Sequence, residues 1–438
     1  MAEEGGAWFA VRALSHRNYR LFFAGQSISL IGTWLTRIAT SWLVYRLTGS
    51  AVLLGVIGFC GLVPTFVLAP IAGVFVDRHS RHRVIVVTQV LSMLQSFALA
   101  ALALTKVITV AEIAALQLLQ GAINAFDTPA RQAFVVEMVE DRGDLPNAIA
   151  LNSSMFNGAR LLGPSIGGVL IALIGEGGCF LVDGFSYVAV IASLLLMTVR
   201  PAAPAGERKH VLHELREGFR YASGSTPIRS MLLLLSVVSL VGMPYTVLMP
   251  VMASERLHGG AHTLGFLMAA VGLGALYGAV RLATRRTVLG LGRTIVVTAA
   301  TFGATLAIFA ASRALWLSLP LLVVVGFSMM TQTASTNTIL QTILEERLRG
   351  RVMAFYTMAV MGTAPFGALI AGALAARVGA PWTIAGGGLL CLLAAGRFGM
   401  QLPALRRELR PIYQRLGILP EVAQGLQKAQ EVPTAPAA

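Results

Sequence analysis

Long apolar runs, separated by short polar connections, recur along the whole chain. A helix of about 20 apolar residues is long enough to cross the hydrocarbon core of a bilayer. The predicted spans lie near residues 19–46, 52–76, 84–106, 111–135, 147–174, 178–199, 230–253, 263–283, 293–312, 315–341, 352–376 and 380–400. Only 12 % of the 438 residues are charged, against about 25 % in soluble domains. The sequence therefore predicts an all-α membrane protein with twelve transmembrane helices, and not a soluble enzyme.

The basic residues are distributed unevenly between the connections on the two sides of the predicted bundle. Lysine and arginine are retained on the cytoplasmic side of membrane proteins. One set of connections holds most of them, including Arg12, Arg78, Arg142, Arg285 and Arg347, whereas the other holds only Arg46, Lys106, Arg256, Arg313 and Arg377. We therefore expect both termini in the cytoplasm. Because the net charge of +14 follows from this topology, no nucleic-acid partner is expected.

The chain divides into two halves joined by a polar connection. We expect a six-helix bundle in residues 1–200, a cytoplasmic linker with a short amphipathic helix in 201–229, a second bundle in 230–400 and a basic cytoplasmic tail in 401–438. A shift of 205 residues aligns Gly73 with Gly278 and Asp127 with Gln332. This repeat predicts two pseudo-symmetric halves, with a binding site at their interface.

A polar residue occurs at every third or fourth position of the fourth predicted span: Gln117, Gln120, Asn124, Asp127 and Arg131. This spacing puts all five on one helix face. A charge facing lipid costs at least about 2.5 to 3.5 kcal/mol, so we interpret the stripe as part of the wall of a transport pathway. Asp127 is the candidate for proton coupling. Pro129 interrupts the regular spacing, so Arg131 can rotate away from this face.

Ionisable residues inside a membrane are candidates for function. Arg37 and Arg160 are predicted to offer positive charge to an anionic cargo. Alternatively, these arginines pair with Asp127 and Asp183 for structural reasons. The tenth span contributes neutral amides to the other half of the site. The full predicted substrate-binding set is Arg37, Arg160, Gln120, Asn124, Gln332, Asn337 and Gln341.

The connection between the second and third spans reads Gly73-Val-Phe-Val-Asp77-Arg78-His79-Ser80-Arg81-His82-Arg83. It resembles the G-x-x-x-D-R-x-G-R-K/R loop of the major facilitator superfamily, with Ser80 where that family prefers glycine. The resemblance implies a conformational latch formed by Gly73, Asp77, Arg78 and Arg81. In such a latch, Asp77 accepts hydrogen bonds from a neighbouring helix terminus and pairs with an arginine. The alternative is that the arginines only enforce topology.

The fifth span carries Ala159-Arg160-Leu161-Leu162-Gly163-Pro164-Ser165-Ile166-Gly167-Gly168. It resembles the G-x-x-x-G-P-x-x-G-G element of exporters in the same superfamily, with Ala159 in place of the first glycine. The resemblance implies a helix-kink element at Gly163, Pro164, Gly167 and Gly168 that flexes or seals without leaking protons, and it favours export. The alternative is ordinary packing of small residues.

Further segments resemble one branch of the superfamily, which includes siderophore exporters and macrolide efflux proteins. They include Gln26-Ser27-Ile28-Ser29, Trp42-Leu43-Val44-Tyr45 and Asp127-Thr128-Pro129-Ala130-Arg131. The branch implies a monomeric, proton-coupled exporter of a small amphipathic molecule, siderophore-like or drug, that works by alternating access in the bacterial inner membrane. A lipid or lysolipid transporter and a non-cycling receptor or scaffold are the alternatives.

No cofactor and no enzyme activity are expected from the sequence. There is no G-x-x-x-x-G-K-[ST] pattern for ATP, so coupling to a proton gradient remains. Cys60, Cys179 and Cys391 are far apart in apolar runs, which favours packing over metal binding. The expected partners are therefore the small-molecule substrate, protons and membrane lipid.

Overall fold

The computed structural model describes residues 12–198, 211–285 and 287–415, and within them it contains helices and turns but no β-strand. The first half consists of α1 Arg17–Thr48, α2 Ala51–Arg78, α3 Arg81–Leu104, α4 Val110–Met138 and α5 Leu145–Leu195. The connecting helix is α6 Val211–Gly224. The second half consists of α7 Thr226–Val237, α8 Ala261–Ala283, α9 Leu291–Ala311, α10 Leu315–Ile343, α11 Glu346–Thr357, α12 Ala364–Val378 and α13 Ala380–Arg415. The first part of the predicted linker (201–210) and the end of the predicted tail (416–438) lie outside the described residues.

The described helices have the lengths and composition of a membrane bundle. Nine helical segments of the described residues are long and apolar enough to cross a bilayer, with Thr226–Arg256 and Leu348–Val378 each counted as one segment through its distorted turns. Helices α1 and α4 are also long enough, with 32 and 29 residues, but their polar side chains make them less apolar than those nine segments. The prediction of an all-α membrane protein is confirmed, and the number of twelve spans stays a prediction.

The long helix α5 reverses direction at Gly175. This residue has a φ of +72° inside an otherwise helical segment, a conformation that glycine adopts without the steric cost of a Cβ. Before the break, Gly163 lies against Trp34 of α1; after it, Gly184 lies against Phe97 of α3. The two arms run antiparallel beside α1 and together contain the predicted fifth and sixth spans.

Two spans of the second half are locally distorted. After α7 the chain continues through a π-helical turn, Val238–Gly242, and a 3-10 turn, Met243–Thr246. The same span ends in another π-helical turn, Met252–Arg256, and a third, Met358–Gly362, joins α11 to α12. Such turns leave the regular helical hydrogen-bond pattern and often occur at functional sites. The two distorted spans lie against each other, because a methyl group on Gly367 would meet the carbonyl oxygen of Leu240 at 2.3 Å.

The two halves meet through glycines on two pairs of helices. A Cβ on Gly55 of α2 would lie 2.6 Å from the carbonyl oxygen of Ala368 on α12. A Cβ on Gly168 of α5 would lie 2.8 Å from the Cα of Gly265 on α8. These close approaches lie towards the end of the bundle that holds the turns at Gly49, Gly175 and Gly379, which we call the Gly49 end.

The opposite end holds the α2–α3 turn, and we call it the Arg78 end. Here Gly73 of α2 and Gly158 of α5 have no atom within 4 Å of a built Cβ. In the middle of α1, between the two ends, the side chains of Thr33 and Arg37 are exposed. The halves are therefore closed together at the Gly49 end and leave a cleft that opens towards the Arg78 end.

Candidate transport site

Two arginines flank one tryptophan in the cleft between the halves. The guanidinium carbon of Arg37 lies 5.1 Å from the ring centroid of Trp34, and that of Arg160 lies 5.9 Å from it. Both distances fall within the range of a cation–π interaction, about 6 Å. Arg37 and Trp34 are one turn apart on α1, and the packing of Gly163 against Trp34 brings the first arm of α5 close enough to place Arg160 beside the same ring.

The second half also contributes to this site. Nη2 of Arg160 lies 4.0 Å from the sulfur of Met329 on α10. Tyr245, in the distorted span after α7, is 2 % exposed. The Tyr245 hydroxyl is buried and has no hydrogen-bond partner among the described residues. A ligand between the halves would therefore contact two cations, an indole ring and a thioether.

No carboxylate in the described part of the chain pairs with Arg37 or Arg160. Unpaired charge deep inside a membrane protein is costly, because the low-dielectric surroundings solvate it poorly. The structural alternative requires ion pairs of these arginines with Asp127 or Asp183, and the described residues do not form them. Their positive charge is available to an anion in the cleft.

Asp127 lies in a different environment, inside the first half. It is 2 % exposed and accepts hydrogen bonds from Thr88 Oγ1 at 2.9 Å and Gln89 Nε2 at 2.8 Å on α3. Arg131, one turn along α4, forms an ion pair with it. Helix α4 continues through Pro129 to Met138, so Arg131 does not rotate away from the stripe.

Asp183 is another buried aspartate of the first half, and it is 1 % exposed. It accepts hydrogen bonds from Thr36 Oγ1 and Ser96 Oγ, each at 2.8 Å, and a longer one from Ser186 Oγ at 3.4 Å. No Arg, Lys or His of the described residues forms an ion pair with it. Hydroxyl groups alone hold this carboxylate.

The remaining amides of the α4 stripe face neighbouring helices of the same half. Gln120 Nε2 donates to Ser92 Oγ of α3 at 3.2 Å and to Asn124 Oδ1 at 3.1 Å. Gln117 approaches Gly61 of α2. The polar face that predicted a pathway wall is therefore engaged, in this conformation, in contacts with α2 and α3.

The predicted polar residues of α10 occupy two different environments. Gln332 is fully buried, and neither its amide nitrogen nor its amide oxygen has a partner among the described residues. Gln341 is exposed, and its Nε2 donates to Asn337 Oδ1 at 2.8 Å. None of the three contacts Arg37 or Arg160 in the described structure, so their role in binding stays a prediction.

The latch segment lies at the Arg78 end. Ser80 is the N-cap of α3, where its side chain accepts from the backbone N–H of Arg83, which gives a reason for serine in place of the family glycine. Arg81 Nη1 forms an ion pair of 2.6 Å with Glu137 of α4. Asp77 is half-buried in the last turn of α2, Arg78 is exposed, and Gly73 has open space around it.

The helix-kink element has two packing roles. A Cβ on Gly163 would lie 2.4 Å from the Cβ of Trp34, and Gly167 lies against Leu35, so both glycines face α1. Gly168 faces α8 of the other half, where a Cβ on Gly265 would meet the carbonyl oxygen of Pro164 at 2.8 Å. The element therefore sets both the position of Arg160 and one contact between the halves.

The buried polar face of α3 was missed from the sequence. It presents Thr88, Gln89, Ser92, Gln95 and Ser96, each at most 5 % exposed, and contacts both buried carboxylates. The signal was available, because these residues recur every three or four positions within an apolar span. Among the described residues, no group of three or more metal-binding side chains comes together.

Residues 9–417 match a family described as transmembrane secretion effector. The chain belongs to the transmembrane secretion effector family. It is a small-molecule transporter of the major facilitator superfamily and not an enzyme, as the motifs predicted.

Relatives of this secretion effector include transporters of drugs and of an iron chelator. It is 28 % identical over 384 residues to the multidrug efflux pump Tap of Mycolicibacterium fortuitum, covering 86 % of this chain and 93 % of the relative. It is 26 % identical over 259 residues to the staphyloferrin A transporter of Staphylococcus aureus, covering 59 % of this chain and 64 % of the relative. The macrolide efflux protein A of Streptococcus pyogenes is 23 % identical, with 86 % and 96 % covered.

A solved transporter structure has the same fold. A bacterial homologue of the iron transporter ferroportin, in an inward-facing state, superposes with a TM-score of 0.66 at 14 % identity. The match covers 87 % of this chain and 98 % of that structure. This likeness confirms the major facilitator fold predicted from the sequence.

Proposed function

We propose that this protein exports a small amphipathic anion across the cytoplasmic membrane by proton-coupled alternating access. The observation that carries the proposal is the pair of guanidinium groups of Arg37 and Arg160, which flank Trp34 without a carboxylate partner among the described residues. Two cations that share one interior cleft repel each other, so an anion between them is strongly favoured. The indole face adds an apolar surface for the rest of the cargo.

The cargo class follows from the mixture of groups around this cleft. Guanidinium groups bind carboxylates and similar oxyanions in a planar, bidentate arrangement. Trp34 and the sulfur of Met329 suit an aromatic or otherwise polarisable part of the same molecule. A siderophore-like carboxylate or catecholate satisfies both requirements, and so does an acidic drug. Two of the named relatives are drug efflux proteins, and a third is a staphyloferrin A transporter.

Proton coupling is assigned to Asp127. A proton taken up from the outside would form a neutral carboxylic acid, and the ion pair with Arg131 would end. Arg131 would then be free to reorient, and the latch segment lies near the same end of α4 through the pair of Arg81 with Glu137. Return of the proton to the cytoplasm would restore the pair. Asp183, with which no cation of the described residues forms an ion pair, is proposed as the second carboxylate able to carry a proton in this half.

The assignment of the Arg78 end to the cytoplasmic side rests on the distribution of arginines between the two ends. The Arg78 end carries the excess of basic residues, so it is the cytoplasmic end. The cleft therefore opens towards the cytoplasm, where an exporter collects its cargo. Closure at the latch segment and separation at Gly55 and Gly168 would then expose the same site to the outside.

The test is ligand-induced thermal stabilisation of the purified protein, since a ligand that binds the native state raises its stability. The probes are a catecholate, an aromatic carboxylate, the uncharged amide of that carboxylate, a macrolide, a cationic dye and a lysolipid. We expect the two anions to stabilise the protein most. Arg37→Ala and Arg160→Ala should abolish the difference between the carboxylate and its amide.

The control is Arg377→Gln, which removes an exposed arginine at the Gly49 end and should leave the preference for anions unchanged. Equal stabilisation by the acid and its amide in the unaltered protein would refute the anion site. The strongest stabilisation by lysolipid would favour the lipid transporter instead. Anion binding without efflux from vesicles would favour the receptor.

A further inference from the structure

A second cavity lies at the Arg78 end, outside the cleft between the halves. Its volume is about 310 Å³, the lower end of the range for small-molecule sites, about 300–1,000 Å³. Helices α7, α9, α10 and α13 of the second half enclose it, and we call it the α13 pocket. Its apolar wall includes Met231, Ile339, Phe398 and Leu405. It shares no residue with the site around Arg37 and Arg160.

Three arginines complete the lining of the α13 pocket: Arg293, Arg406 and Arg410. All three are exposed, and none of their guanidinium groups forms an ion pair or hydrogen bond with the described part of the chain. Arg285, close by, differs in this respect, because its guanidinium donates to the carbonyl oxygen of Thr287 at 3.0 Å. The pocket therefore combines an apolar wall with three cationic groups that are available to a ligand.

The pocket lies where the bundle leaves the membrane. Helix α13 has 36 residues, and about 20 of these suffice to cross the hydrocarbon core. The pocket includes Phe398 near that boundary. It continues beyond it to Leu409 and Tyr413, which lie roughly two and a half and three and a half turns further along the helix. Beside it, α13 presents the highly exposed Leu393 and Met400 to the surroundings. Apolar groups at the depth of acyl chains, with arginines at the depth of headgroups, are the two components of a lipid site.

We propose that the α13 pocket binds the headgroup of one anionic glycerophospholipid. The phosphate would contact the three arginines, the glycerol backbone would occupy the cavity, and the acyl chains would extend along the apolar surface of α13. The cavity is too small for a whole lipid, which fits this arrangement. Basic pockets between membrane helices bind anionic headgroups in this way. A bound lipid would connect α13 to the first turn of α9 and stabilise the second half. This inference does not rest on the proposed function.

The test is native mass spectrometry of the purified protein after incubation with equal amounts of phosphatidylglycerol and phosphatidylcholine that have the same acyl chains. We expect preferential retention of one phosphatidylglycerol molecule. Each basic residue near an anionic headgroup contributes about 1 kcal/mol, or roughly fivefold in affinity. The double substitution Arg406→Gln with Arg410→Gln should therefore weaken phosphatidylglycerol binding roughly 25-fold and leave phosphatidylcholine binding unchanged.

The matched control is Arg397→Gln with Arg407→Gln, which removes two exposed arginines of α13 that lie outside the pocket. If the double variant misfolds, Leu402→Trp fills the cavity with every charge retained and should also reduce retention. Equal retention of the two lipids by the unaltered protein would overturn the proposal. An equal loss of phosphatidylglycerol retention in the control variant would also overturn it. So would retention of glycerol phosphate alone to the same extent as the lipid.

Discussion

Asp127 and Asp183, the two buried aspartates of the first half, show how the same side chain acquires different properties from its neighbours. Asp127 has a cationic partner, Arg131, on its own helix, and removal of the carboxylate leaves that cation without compensation. Asp183 has hydroxyl partners on α1, α3 and α5. A hydroxyl can donate or accept, so it tolerates both an ionised and a neutral neighbour. The two positions therefore predict different costs for the same substitution.

We expect Asp127→Asn to abolish stimulation of efflux by a pH gradient, because an amide cannot exchange the proton. The substitution also leaves Arg131 unpaired, at a cost of about 3–5 kcal/mol in unfolding free energy if the site is effectively buried. Asp183→Asn should cost less, about 1–2 kcal/mol, since its hydroxyl partners can reorient. Efflux from vesicles and thermal unfolding measure these two effects.

The control for Asp127 is the double substitution Asp127→Asn with Arg131→Gln. It removes both charges, so stability should recover relative to Asp127→Asn while efflux stays insensitive to the pH gradient. Recovery of pH-driven efflux in the double variant would mean that Asp127 serves only to balance Arg131. The proton role would then pass to Asp183.

At the scale of helices, small residues decide which faces meet. The Gly49 end is closed by Gly55 of α2 against Ala368, and by Gly168 of α5 against Gly265. Tyr45 adds a hydrogen bond of 2.8 Å from its hydroxyl to Glu255 of the other half. Lipid tails are as apolar as the helix side chains, so the hydrophobic effect does not drive helices together inside a membrane. Close packing of backbones therefore supplies much of the attraction between them.

We expect Gly168→Val to separate α5 from α8 and favour the conformation that is open at the Gly49 end. Overpacking costs about 1–3 kcal/mol, which shifts the ratio of closed to open molecules by roughly five- to a hundredfold. The measurement is the yield of a short thiol cross-link between Tyr45→Cys and Glu255→Cys, which should fall. The three native cysteines are buried.

The matched control is Gly158→Val on the same arm of α5, where no atom lies within 4 Å of a built Cβ. Its cross-linking yield should equal that of the unsubstituted protein. An equal fall in both variants, or no fall for Gly168→Val, would show that this glycine contact does not hold the halves together.

At the scale of the whole molecule, closure at the Gly49 end and the cleft at the Arg78 end would define one state of the proposed alternating-access cycle. Thr33, exposed in the middle of α1, lies on the same face as Arg37 and reports on access to the cleft. It has no role in the proposed site, and its hydroxyl donates mainly to the carbonyl oxygen of Ser29.

We expect Thr33→Cys to react with a membrane-impermeant thiol reagent from the cytoplasmic side and to be protected from the outside. Inside-out and right-side-out vesicles separate the two directions, and Gly168→Val should increase the reaction from the outside. Faster reaction in right-side-out vesicles of the otherwise unaltered protein would contradict either the direction of the cleft or the cytoplasmic location of the Arg78 end.

Much of the fold was predictable because it depends on properties that are local in sequence. The apolar runs predicted the helices, since a chain in lipid must satisfy its backbone hydrogen bonds internally. The latch and helix-kink motifs predicted the superfamily. At the site, Arg37, Arg160 and Asp127 stood out because charges are rare in such spans. The buried face of α3 was missed because its serines, threonine and glutamines carry no charge.

The sequence by itself determined that this chain is a helical transporter with charges in its interior, because hydropathy and charge are readable one residue at a time. Only the tertiary structure decided which charges meet. It surrounded Asp183 with hydroxyls from three helices and brought Arg37 and Arg160 from two helices to one tryptophan. Such pairings depend on how helices distant in sequence turn their faces towards each other, and spacing along one helix does not contain that information.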